Sequence, residues 1–208
     1  MAIEALLFDL GKVLIDFDFE LGMARLTARS SLSRVEFEQV IRDPDWIRKY
    51  ETGMVTTEEY HQYLAERGRL EMSLEEFHDA WSAVFLPDPI LPEGLLASLK
   101  ESYPLILVSN INEAHANFVE SRYSVFEYFD HRILSHEVGS MKPDRKIYDI
   151  AIAAAGKSPE SLFFTDDREE NIESALRMGI RAHQFDSVSG LIEALRSHGV
   201  RFGDFVPS

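Results

Sequence analysis

The chain has no cysteine among its 208 residues, which excludes disulfides and thiolate catalysis and leaves the redox compartment open. It has no apolar run near the ~18 residues needed to cross a bilayer, so no membrane span is expected. The N-terminus carries neither the basic region nor the apolar core of a secretory signal, and the cytoplasm is the expected location. Basic residues are scarce: 21 Lys and Arg against 36 Asp and Glu give a formal net charge of −15. The longest basic clusters are Ile47-Arg48-Lys49 and the stretch from Lys142 to Lys146. With no segregated basic patch, nucleic acid and anionic membranes are not expected partners. Repeats and low-complexity tracts are absent as well. What is present is ordinary globular usage, 45% hydrophobic and 27% charged, enough for one buried core plus an insertion.

Residues 3–9 read as a first strand, built on the apolar run Ala5-Leu6-Leu7-Phe8. From about Asp16 to Phe85 the apolar positions recur at three and four, as in Leu74, Phe77, Trp81 and Phe85. Ser33 with Glu36, Thr56 with Glu59 and Ser73 with Glu76 fit the capping box that opens helices. This region is expected to form four or five helices with no strand among them. The prolines of Leu86-Pro87-Asp88-Pro89 mark a stiff return linker. Strand and helix then alternate. Strands are expected at Leu105–Ser109, Arg132–Ser135, Ser161–Asp166 and Ile180–Phe185. Between and after them, the helices include Glu113–Arg122, capped by Asn112, and Asp144–Ala155, closed by Gly156. The expected fold class is α/β, a Rossmann-like parallel sheet core with helices on both faces and an inserted helical cap. Residues 1–15 and 88–208 form the expected core and residues 16–87 the cap.

Four strand ends carry reactive residue types. Asp9 follows the first strand, beside a Leu10-Gly11 turn. Ser109-Asn110 ends the second core strand, Lys142-Pro143 follows the third, and Thr165-Asp166-Asp167 ends the fourth. Ligands of open parallel sheets gather at these carboxyl ends. A carboxylate attacking a phosphoryl group must overcome the repulsion of two anions, so covalent catalysis by Asp9 requires positive charge nearby. A hard cation such as Mg2+ binds through one or two carboxylates plus phosphate oxygens; Asp9 with Asp166 or Asp167 would supply them. Lys142 would neutralise nucleophile and phosphate, and Ser109 would hold a phosphoryl oxygen.

The order of these motifs resembles the haloacid dehalogenase superfamily: Phe8-Asp9-Leu10-Gly11, Val108-Ser109-Asn110, Met141-Lys142-Pro143 and Phe164-Thr165-Asp166-Asp167. The details are similar to the branch holding bacterial α-glucose-1-phosphate phosphatases and the phosphatase domain of soluble epoxide hydrolase. The resemblance implies that Asp9 is the nucleophile and forms an aspartyl-phosphate. It implies that Ser109, Asn110 and Lys142 bind phosphate, and that Asp9, the Gly11 carbonyl, Asp166 and Asp167 hold Mg2+. The family's phosphatases usually carry a second Asp two residues after the nucleophile, which protonates the leaving oxygen. Gly11 stands there instead.

The expected function is therefore an Mg-dependent phosphatase acting on a small phosphorylated metabolite, with a sugar phosphate as one candidate. Two alternatives stay open: a metal-independent 2-haloacid dehalogenase, and a weakly active phosphate-ligand-binding protein. Lys12, His61 and His78 are candidate replacements for the missing acid. Trp46, Arg48, Tyr50, Tyr60, Tyr63 and Trp81 are candidates for substrate selection, with Trp46 favoured over Trp81. Oligomeric state is not legible in the sequence.

Overall fold

The computed structural model describes residues 1–205. Its centre is β1 (Ala5–Phe8), whose residues are buried throughout. β1 pairs in parallel with β4 (Leu105–Ser109) on one side and β6 (Leu162–Asp166) on the other. β5 (His131–Leu134) and β7 (Arg181–Gln184) complete a five-stranded sheet in the order β5-β4-β1-β6-β7. The three central strands are apolar along nearly their whole length because both faces are covered. Leu6, Phe8, Leu105, Leu107 and Phe163 pack toward α6 (Glu93–Lys100), α7 (Glu113–Arg122) and α11 (Val188–Ser197). Leu7, Ile106, Val108 and Phe164 pack toward α9 (Arg145–Ala155) and α10 (Glu169–Arg177). The α/β class with a parallel sheet covered on both faces is as the sequence implies.

Five helices lie within residues 18–84, after β1 and ahead of α6: α1 (Phe19–Thr27), α2 (Arg34–Ile41), α3 (Pro44–Glu51), α4 (Thr57–Arg67) and α5 (Leu74–Ser82). All three expected capping boxes form. These helices enclose their own cluster, with Phe37, Tyr50, Tyr60, Leu64 and Phe77 buried and Tyr50 stacked on Tyr60 at 4.5 Å.

One expectation is overturned. Where a helical stretch and a proline linker were expected, β2 (Ile15–Phe17) and β3 (Phe85–Pro89) pair antiparallel, with Ile15 opposite Pro89 and Phe17 opposite Phe85. A strand of three residues is too short to display alternation, and proline is tolerated where its nitrogen faces away from the ladder. Both expected boundaries of the insertion fall at this ribbon. A short helix, α8 (Ser135–Val138), also follows β5 directly.

Candidate active site

The chain reverses its direction of travel across the sheet between β1 and β6, and Asp9 and Asp166 stand at the carboxyl ends of those two strands. Lys142 reaches them from the loop between α8 and α9. Its Nζ donates to Asp9 Oδ1 at 2.6 Å, to Asp166 Oδ2 at 2.6 Å and to the Val108 carbonyl at 2.8 Å. All three protons of the ammonium are thereby engaged. Lys142 is 2% exposed and Asp166 0%, so the group is an ion triad out of water. Burial by itself would lower the Lys142 ammonium, but Asp166 and Asp9 more than reverse this and hold it above its ordinary value. Burial pushes the Asp9 carboxyl up to about 7, with Lys142 opposing and Asp166 reinforcing the rise. Burial and Asp166 raise Asp167 too. These carboxylates are short of positive charge with one ammonium between them.

Asp9, Asp166 and Asp167 each offer a carboxylate oxygen, and these atoms lie within 4.8 Å of one another. An all-oxygen donor set fits a hard divalent cation such as Mg2+. Asp166 is oriented for it: Oδ1 accepts from the Arg168 amide and the Asn171 side chain, each at 2.9 Å. Asn171 is in turn held by the Tyr148 hydroxyl on its carbonyl at 2.9 Å. In the sequence, Asn171 stands out only as a detail of the fourth motif in the family resemblance; its offset of five from Asp166, in the first turn of α10, is what lets it position that carboxylate.

Asn110, beside Ser109, is bonded to the lysine loop through both polar atoms of its side chain. Its Nδ2 donates to the Lys142 carbonyl at 2.8 Å, and the Lys142 amide donates to its Oδ1 at 2.7 Å. The side chain thereby clamps the lysine loop. Asn110→Ala is expected to leave Lys142 in the site but loosely held, lowering activity by ~10- to 100-fold, measured as kcat against thermal stability.

Beside Ser109 and Gly11 lies a cavity of about 310 Å3 between the sheet edge and the helices. Tyr50, Tyr60 and Trp81 line it. Trp46 and Tyr63 do not; they stack on each other at 4.0 Å elsewhere on the helices, which reverses the expected ranking of Trp46 and Trp81. Arg48 pairs instead with Asp144, at 2.7 Å.

Among the candidate proton donors, Lys12 is folded back onto Asp16, the Phe17 carbonyl and the Phe17 ring. The same ring explains Gly11: a Cβ there would lie 2.7 Å from Phe17 Cε1. His61 bonds the Met72 carbonyl at 3.0 Å and packs on Phe77. Neither His61 nor His78 lines the cavity. Among the described residues, the one acidic residue that lines it is Glu51, at the end of α3. Its backbone is docked on the core: buried Ser135 Oγ donates to the Glu51 carbonyl at 2.6 Å and accepts from the Ile111 amide at 2.8 Å. Two residues on, Gly53 has φ +66° and lies so near His136 that a Cβ would stand 2.1 Å from its carbonyl oxygen. Burial raises the Glu51 carboxyl, with Arg168 pulling the other way. Sequence could not single out Glu51, because a glutamate at a helix end is usually a solvated one.

The sequence matches the haloacid dehalogenase-like hydrolase family over residues 3–179. The chain belongs to that family. This hydrolase is 24% identical to a D-ribitol-5-phosphate phosphatase of Bacteroides thetaiotaomicron over 196 residues, covering 88% of this chain and 91% of the relative. A solved haloacid-dehalogenase-family enzyme from the same organism, in complex with magnesium and inorganic phosphate, is 27% identical. It superposes with a TM-score of 0.79 over 91% of this chain and 99% of its own. The L-2-haloacid dehalogenase of Xanthobacter autotrophicus is 16% identical with a TM-score of 0.61, covering 96% of this chain and 84% of its own. That likeness is one of fold.

Proposed function

We propose that this hydrolase is an Mg2+-dependent phosphatase of small phosphate monoesters, working through an aspartyl-phosphate on Asp9. The observation that carries the reading is the buried triad of Asp9, Lys142 and Asp166, with Asp167 close enough to complete an oxygen cage. Expelling a halide calls for no cation, and a carboxylate substrate would meet the paired acids Asp166 and Asp167, so the dehalogenase reading gains no support from this geometry. In this reading residues 1–15 and 88–208 form the catalytic core that carries the nucleophile and the cation site, residues 16–87 act as a cap that lends one acid, Glu51, and the protein works in the cytoplasm.

Asp9, Asp166, Asp167 and the Gly11 carbonyl would hold the cation, which neutralises phosphate charge when bound. Lys142 keeps its proton and holds Asp9 in place, while Ser109, at the end of β4, donates to a phosphoryl oxygen. An Asp9 carboxylate oxygen attacks phosphorus; the bond to the ester oxygen breaks, and that oxygen takes a proton from the Glu51 carboxyl. Water then attacks the aspartyl-phosphate and gives its proton to the Glu51 carboxylate. Phosphate leaves and Asp9 is restored. A half-buried acid with a raised affinity for its proton suits this double role; so placed, Glu51 argues against the weakly active reading that Gly11 alone suggests.

The experiment is phosphate release from aryl and alkyl monoesters, abolished by chelator and restored by Mg2+. No release from any ester under saturating Mg2+ would reject the proposal. Glu51→Gln is expected to lower kcat ~10²- to 10³-fold for alkyl phosphates, whose leaving oxygen must be protonated, and less than ~10-fold for 4-nitrophenyl phosphate. Equal losses on both esters would mean that Glu51 serves only structure.

A further inference from the structure

Every polar side chain on a substrate cavity wall either faces the substrate or is already bonded to protein, and here most are bonded. Asn112 Oδ1 accepts from the His115 amide at 3.0 Å and from Trp81 Nε1 at 3.3 Å, and its Nδ2 contacts His115 Nδ1 at 3.2 Å. His115 Nε2 is 3.0 Å from the Trp81 carbonyl. The Tyr60 hydroxyl donates to the Ile41 carbonyl at 2.9 Å and the Tyr50 hydroxyl to Thr57 at 3.1 Å. Asn110 is closed on the Lys142 backbone. Ser109, Glu51 and exposed Arg42 are the polar side chains of the wall that remain. The rest of the surface is apolar, with Phe17, Phe19, Met23, Ile47, Val84 and Phe85 presenting carbon.

We infer that the alcohol released from the phosphate ester is apolar and ring-bearing, not a polyol. The inference rests on the phosphatase reading and names its substrate class. A sugar or alditol entering this cavity would exchange water for hydrocarbon at several hydroxyls with no partner, which disfavours binding at each one. An aromatic ring loses nothing of the kind and gains contact with Phe17, Phe85 and Trp81. Size agrees: an apolar cavity of ~150 Å3 holds benzene, and about 310 Å3 leaves room for one or two rings. Glu51 and Arg42 provide for the ester oxygen and for at most one polar substituent at the mouth.

The test compares kcat/KM of the full chain with Mg2+ on 2-phenylethyl phosphate and on D-ribitol 5-phosphate. Both leaving groups are primary alcohols, so ester reactivity is nearly matched and recognition decides. The aromatic ester is expected to be better by about 100-fold. Ile47 lies outside the buried cores, and Ile47→Asn should cut that preference about tenfold by giving hydroxyls a partner. Equal or reversed preference in the wild type would overturn the inference while leaving the phosphatase reading intact. Absence of phosphate from both esters and from 4-nitrophenyl phosphate would instead remove the reading on which it rests.

Discussion

Asp9→Asn abolishes phosphate release, by at least ~10⁴-fold, and leaves the melting temperature unchanged or slightly higher: that is the expected result for a nucleophile held at a cost to the fold. The amide has nearly the size of the carboxyl and keeps one oxygen for Lys142 Nζ, now 2.6 Å from Asp9 Oδ1. It carries no charge, so the burial that pushes Asp9 to about 7 no longer opposes folding. A purely structural ion pair would respond in the opposite way, losing stability when one partner is neutralised. The covalent step can be read separately. With an ester labelled in its phosphoryl group, acid-quenched wild type should retain label on the chain, and Asp9→Asn should retain none. Label on the variant would place the nucleophile elsewhere.

Lys142→Met should be damaging on both counts. The methionine fills the volume but leaves the Asp9 and Asp166 carboxylates buried and facing each other, Asp166 at 0% exposure. Removing one member of a buried charged group typically costs ~3–5 kcal/mol, a large share of the ~5–15 kcal/mol that holds a domain together. For a chain of this length that amounts to a fall of about 10 °C in melting temperature. Activity should fall at least ~10³-fold, since neither the nucleophile nor the incoming phosphate is neutralised. Millimolar Mg2+ should recover part of the stability by binding the three carboxylates in the folded chain alone, without recovering turnover. A variant as stable as wild type without metal would mean that the triad is not the electrostatic centre described above.

Much of this was legible in the sequence for a simple reason: the informative signals were local. Runs such as Leu105–Val108 and Leu162–Phe164 announce strands buried on both faces, and a hydroxyl followed at three by Glu announces a helix start. Acids and a lysine at strand ends, taken together, announced the triad. What stayed hidden depends on contacts distant in sequence. That Asn110 also clamps the lysine loop, from 32 positions away, has no local signal. Glu51 gains its place from Ser135, 84 positions on. Trp46 and Trp81 sit on similar helical patterns, and only the packing of α3 against α4 turns Trp46 toward Tyr63 and leaves Trp81 on the cavity. The β2–β3 ribbon has too few residues to declare itself.

That ribbon separates two kinds of information in the gene. The Ile90 amide bonds the Leu14 carbonyl at 2.7 Å, so the chain leaves the sheet and comes back at practically the same point. Most of the residues that line the cavity are encoded between these crossings, whereas Asp9, Ser109, Lys142, Asp166 and Asp167 are all encoded outside them. Selection could rewrite one stretch for a new substrate with the buried triad untouched, and grafting a foreign segment that keeps an acid at the place of Glu51 between Leu14 and Ile90 would be the corresponding laboratory manoeuvre.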